Sequence, residues 1–178
     1  MTDTRSDSPE TQTTFTVPGL DRTDGDTAVS ALEPRLVSLL DLGLTLKHIH
    51  WNVVGPTFIA VHQMLDPQYA AVADMADEVA ERIAALGGSP NGLPGHLVEA
   101  RTWNDYPVTG RAIVETHLEA LDDVYSGVIS DHRDAQARLS AADPVTEDLI
   151  ISQIRALEQF QWFVRAHLER PDGSLARG

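Results

Sequence analysis

The stretch Val61–Ile83, VHQMLDPQYAAVADMADEVAERI, decides how this chain is read. It reads as one long helix carrying two acid-bearing pairs, His62 with Asp66 and Asp77 with Glu81. Each pair is four residues apart and so lies on one helix face. Asp66 and Asp77 are separated by eleven residues, close to three full turns, which puts both pairs on roughly the same side. At 1.5 Å per residue they sit about 16 Å apart along the axis. No single metal ion, with bonds of about 2 Å, bridges that gap. If both pairs belong to one site, two copies of the helix must run antiparallel, each supplying one half. The spacing therefore points to a metal site built across a two-fold subunit interface.

Working outward, Gly55-Pro56-Thr57 precedes this helix and Gly87-Gly88-Ser89-Pro90 ends it, so it spans about Phe58 to Leu86 with Thr57 as its cap. Upstream, Leu32, Leu36, Leu39, Leu40 and Leu44 recur at helical steps, giving a first helix over Val29–Val53 with Pro34 in its first turns. Residues 87–107 hold four glycines and prolines at 90, 94 and 107, a long connection with room for one short helix. Such connections in helical proteins are crossovers rather than tight hairpins. A third helix is expected over Val108–Ser140 and a fourth over Thr146–Leu168, with the turn at Asp143-Pro144. The expected architecture is all-α, a ferritin-like four-helix bundle over residues 29–169. Residues 1–28, with six acids and two arginines, read as a flexible acidic arm, and 170–178 as a short mobile tail. Within the arm, Phe15–Leu20 is an apolar island able to dock on the body or on a neighbour.

At 178 residues the chain is most simply one domain with a proper core. It has no cysteine, so disulfides, thiolate metal sites and cysteine nucleophiles are excluded. No apolar run reaches the roughly 20 residues of a membrane span, no signal peptide is visible, and the default location is the cytoplasm. The net charge of −14 and a single lysine, Lys47, favour cations over polyphosphates as partners.

His50, near the end of the first helix, and His62, one turn into the second, meet in an antiparallel hairpin; His48, two residues from His50, points elsewhere. Histidine with carboxylate suits iron, zinc or manganese. Each residue alone also fits a plainer role, since Asp77, Glu78 and Glu81 could be surface charges near Arg82. No Glu is followed by His three residues later, and no His-Glu-x-x-His, phosphate loop or Gly-x-Ser-x-Gly occurs. Trp51, Trp103 and Trp162 read as core or interface residues, and Trp51, beside His50, could also intercept a radical formed at the metal.

The run Thr45–Pro56 (TLKHIHWNVVGP), continuing to His62, together with Asp77–Ile83 and the ending Phe160-Gln161-Trp162-Phe163, closely resembles the Dps family (DNA-binding protein from starved cells, the mini-ferritins), most of all its actinobacterial members. The resemblance covers about residues 12–170. It implies a hollow homo-dodecamer that oxidises Fe(II), preferably with hydrogen peroxide, and stores ferric iron mineral. It further implies His50, His62 and Asp66 as iron ligands and catalytic residues from one subunit, with Asp77 and Glu81 from its partner. Acidic pores for iron entry are also implied, for which the third helix offers Asp122, Asp123, Asp131 and Asp134, with Asp123 and Asp131 favoured. Some members condense DNA with lysine-rich tails. Here the arm is acidic and the tail carries only Arg170 and Arg177, which argues against DNA as a partner.

Overall fold

The computed structural model describes residues 17–170 and 172–175. Four long helices and one short one follow in the order α1 (Arg22–Asn52), α2 (Phe58–Ala85), α3 (Pro94–Ala100), α4 (Val114–Ala142) and α5 (Pro144–Leu168). This is the expected four-helix bundle with a short helix in the long connection. Two antiparallel hairpins, α1 with α2 and α4 with α5, bury leucines and valines at three- and four-residue steps, among them Leu32, Leu39, Leu46, Leu65, Val79, Leu118, Leu121, Ile150 and Leu157, all fully buried. Each such side chain contributes about 1.5–3 kcal/mol through removal from water. Among the described residues, no helix is long and apolar enough to cross a membrane.

The helix ends differ from the sequence expectation in ways that have physical causes. α1 starts at Arg22 rather than Val29, because Gly25 and Ala28 are small enough to be buried and carry the helix back into the acidic segment. Pro34 therefore sits inside the helix, not in its first turns. Leu44, expected on the core face, is 65% exposed. Val17 and Leu20 of the apolar island pack against the core, while Phe15 and Thr16 lie outside the described residues, as does the arm through residue 16. Thr57 stands at the start of α2 but makes no side-chain capping bond. The turn before it depends instead on Gly55, whose φ of +115° is open to glycine alone.

α2 ends where Gly87 adopts φ +82° and Gly88 N–H donates to the Ile83 carbonyl at 2.9 Å, a Schellman-type stop. After α3 the chain reaches a two-residue parallel ladder unseen in the sequence, β1 (Val53–Val54) with β2 (Ala112–Ile113). That pairing consumes the residues expected to open the third helix, so α4 begins at Val114 instead of Val108. α5 starts two residues early, at Pro144, since proline is pre-set for the first helical position and the Asp143 carboxylate accepts from Val145 N–H. Asp143 also receives Arg82 Nη2 at 2.6 Å, fastening the end of α2 to the α4–α5 turn. Beyond α5 the described residues fold back, with Glu169 and Leu175 forming an antiparallel bridge.

Candidate metal centre

The α1–α2 hairpin brings His50 and His62 face to face, with ring centroids 3.6 Å apart and planes tilted by 23°. His50 Nδ1 lies 2.9 Å from the His62 carbonyl oxygen, and His62 Nδ1 lies 2.9 Å from that of His50. A carbonyl only accepts, so both Nδ1 atoms carry the hydrogen and donate. The reciprocal pair holds Nδ1 of each ring on a carbonyl, so Nε2 is the nitrogen each ring has to offer a metal. His48 takes no part: its Nε2 donates to the Val108 carbonyl at 2.8 Å, tying α1 to the crossover loop.

Asp66 stands one helical turn beyond His62, with Oδ1 2.9 Å from Lys47 Nζ and 3.4 Å from His50 Nδ1. The Lys47 hydrogen bond, helped by the nearby histidines, holds this carboxyl below the usual carboxylate range despite some desolvation. Lys47 also lies over the Tyr69 ring, 5.1 Å from its centroid. The only lysine of the chain thus serves as a counter-ion in the centre, a role its position three residues before His50 could have signalled.

Asp77 and Glu81 are exposed further along α2, eleven and fifteen residues beyond Asp66, which at 1.5 Å per residue is about 16 Å and about 22 Å along the axis. Among the described residues no three His, Asp or Glu side chains of one chain converge as a metal-holding group. One chain thus stacks His50 on His62 and sets the Asp66 carboxylate 3.4 Å from His50 Nδ1 without converging the three on one point, and it leaves Asp77 and Glu81 apart. The same outer face of α1 and α2 exposes Leu44, Trp51, Phe58, Ile59 and Tyr69, with Trp51 at 71%. Contiguous apolar surface of this kind marks a site where another surface binds. Trp51 and Trp162 are outside the core, whereas Trp103 is half-buried and donates Nε1–H to Asp41 at 2.7 Å.

The acids of α4 divide. Asp122 is buried and accepts from Arg165 Nε at 2.6 Å and Gln161 Nε2 at 2.8 Å, which removes it as a pore candidate. Asp123 and Asp131 line one cavity of about 240 Å³ between α1, α4 and the crossover loop. Asp131 is paired there with Arg35 at 3.3 Å, so Asp123 is the less neutralised of the two.

A ferritin-like domain model matches residues 29–173. The DNA protection during starvation protein of Mycolicibacterium smegmatis is 53% identical over 163 residues, which are 92% of this chain and 88% of that one. The fine tangled pili major subunit of Haemophilus ducreyi is 51% identical over 90% of this chain and 84% of its own length. Among solved structures, DpsA14 from Streptomyces coelicolor superposes with a TM-score of 0.90 at 57% identity, covering 93% of this chain and 98% of that one.

Proposed function

The chain belongs to the ferritin-like family, in the branch of the DNA protection during starvation (Dps) proteins, and from that premise we propose that it oxidises Fe(II) with hydrogen peroxide and stores the ferric product inside a closed twelve-subunit shell. The observation that carries this reading is the reciprocal His50–His62 lock, two imidazoles each held by Nδ1 to the other's carbonyl with Asp66 beside them. Neutral imidazole retains Fe(II), and carboxylates stabilise Fe(III) once the electron has left. Asp66 joins the metal by releasing Lys47, so Fe(II) replaces an ammonium that already occupies the carboxylate. Asp77 and Glu81 of a second copy, brought up by an antiparallel α2, complete the ligand set, and the exposed apolar collar is the surface that copy covers. For each peroxide, two Fe(II) ions give one electron apiece, the O–O bond breaks, and two protons convert the oxygens to water. Iron and peroxide are consumed together, which suppresses hydroxyl radical.

Rapid mixing of Fe(II) with peroxide tests the enzyme against a passive metal store. His50→Ala/Asp66→Ala should lower the initial oxidation rate by more than about 100-fold, since even outer-shell partners of metal ligands are worth 10–100-fold. Equal initial rates would leave only storage.

Iron entry through acidic pores uses Asp123 more than Asp131 in this reading, because negative potential draws cations and Arg35 cancels part of the second. Asp123→Asn should slow mineral growth while the first oxidation phase stays as fast as wild type. Unchanged iron uptake would remove Asp123 from the entry path.

The relatives' name speaks of DNA, and here protection is chemical rather than by packaging. Duplex affinity comes chiefly from lysine and arginine neutralising phosphates, yet each subunit carries −14 and its one lysine is engaged by Asp66. Even with avidity across a shell, no gel shift of duplex DNA is expected at neutral pH and about 0.15 M salt, where charges are screened beyond about 8 Å. A salt-sensitive shift under those conditions would restore the DNA-condensing alternative.

A further inference from the structure

His48 stands two residues before His50 on α1, about 200° around the helix from it, and so cannot join it on a metal. Both histidines nevertheless belong to the closing turns of one helix. The last carbonyls of an α-helix have no partner within it, so its end frays unless something outside holds it. Here Val53 N–H caps the Ile49 carbonyl, and Asn52 Nδ2 donates to the His48 carbonyl at 2.8 Å. The His50 carbonyl receives His62 Nδ1 at 2.9 Å. The bonds that align His50 with His62 therefore need this turn wound and in place.

The far side of the turn is held by the crossover loop. The Val108 carbonyl only accepts, so His48 Nε2 carries the hydrogen it donates there at 2.8 Å. The His48 ring meets Tyr106 and His117 edge-on, with centroids 5.8 and 6.4 Å away. The Tyr106 hydroxyl donates to the His117 carbonyl at 3.0 Å, which fastens the loop to the first turn of α4. Just past Asn52 the chain is fixed again, where Val53 pairs with Ala112. The end of α1 is thus clamped from two sides, through His50 by α2 and through His48 by the crossover loop and α4.

We propose that His48 is a positioning residue of the metal centre, its hydrogen bond to Val108 setting the place from which His50 meets the metal; this rests on the iron-binding function proposed above. His48 touches no metal and acts through the helix backbone. A ligand constellation has to be held to within about 0.5 Å of its productive geometry, and a turn tethered on one side only is free to shift by more. Partners that orient metal-binding groups are worth about 10–100-fold in metal affinity. His48 acts one step further out, so the lower end of that range applies.

Co(II) titration of the full-length assembled protein, followed by its visible absorption band, tests the role. His48→Phe keeps a ring against Tyr106 and His117 but has no donor. His48→Asn has a donor one atom too short, and His48→Gln has one of the same reach as the imidazole. The Phe and Asn variants should bind Co(II) about 10-fold more weakly, with a shifted band, in shells that native mass spectrometry shows to be assembled. His48→Gln should keep the wild-type affinity and band. His50→Ala supplies the signal without the centre. Wild type binding no more tightly than His50→Ala would overturn the metal-centre reading and this inference with it. Wild type exceeding His50→Ala while the Phe and Asn variants match it, or His48→Gln weakened as much as they are, would overturn the positioning role alone. The Asn and Gln variants decide the matter even if His48→Phe does not assemble.

Discussion

Two inactive variants should restore each other when they share a shell. His50→Ala/Asp66→Ala removes the half-site contributed by the α1–α2 hairpin, and Asp77→Asn/Glu81→Gln removes the half-site further along α2. In a two-fold dimer each interface repeats the same contacts twice, so it holds two equivalent sites. A mixed dimer then contains one site with both defects and one with neither. Random assembly makes half the dimers mixed, so about a quarter of all sites become fully wild type. Each variant alone should oxidise Fe(II) more than about 100-fold slower than wild type. Shells reassembled from an equal mixture, verified as 12-mers by native mass spectrometry, should recover about a quarter of the wild-type initial rate.

The physical ground is the separation along α2. Its two acid-bearing pairs are about 16 Å apart on a rigid helix, and no fluctuation of one bundle closes that distance. The exposed Leu44, Trp51, Phe58, Ile59 and Tyr69 offer an apolar surface that the proposed second copy would bury. Mixed shells no faster than the two parents would mean that each site lies within one subunit, with Asp77 and Glu81 serving elsewhere.

The spacing of the two acid-bearing pairs on α2 was legible because a helix converts sequence separation into direction and distance. The stop at Gly87-Gly88 and the start at Asp143-Pro144 could be read for the same local reasons, left-handed glycine geometry and a proline pre-set for the first turn. What escaped the sequence is non-local. Val53-Val54 pairing with Ala112-Ile113 depends on where the crossover lands, and it displaced the start of α4 by six residues. The early start of α1 depends on the burial of Gly25 and Ala28 against other helices. His50 and His62 could be placed near each other, but their exchange of carbonyl bonds depends on hairpin register. The Lys47–Asp66 pair bridges two helices and has no signature beyond a solitary lysine near a histidine. Asp122 and Asp123 look alike in sequence, yet one is locked to Arg165 inside the bundle and the other faces a cavity.

Acid should weaken each subunit through His132. Burial in the core, and secondarily the positive charge of Arg35, push this imidazole down to about 4. The groups facing it are Arg35 from α1, Gln153 from α5 with Met75 and Glu78 of α2 behind it, and Asp131 beside it on α4. In the unfolded chain a histidine takes up its proton near 6.5. Between those values the unfolded state binds more protons than the folded one, so stability falls as the pH drops. The contribution is fully present above about 6.5, declines through the window and is gone below about 4. At 1.36 kcal/mol per pH unit the loss is roughly 3 kcal/mol per subunit, on the order of 10 °C in melting temperature for a domain of this size. Carboxylates such as Asp143, whose pKa is lowered by Thr146 and Arg82 against a desolvation penalty, add their own loss only at lower pH. Thermal melts of wild type and His132→Phe between pH 7.5 and about 4.5 isolate the effect, because the variant lacks this imidazole while the other histidines, including the buried His117 whose pKa burial also lowers, are common to both proteins. The variant should be less stable at neutral pH yet lose clearly less on acidification; parallel pH dependence would assign the acid response to other groups.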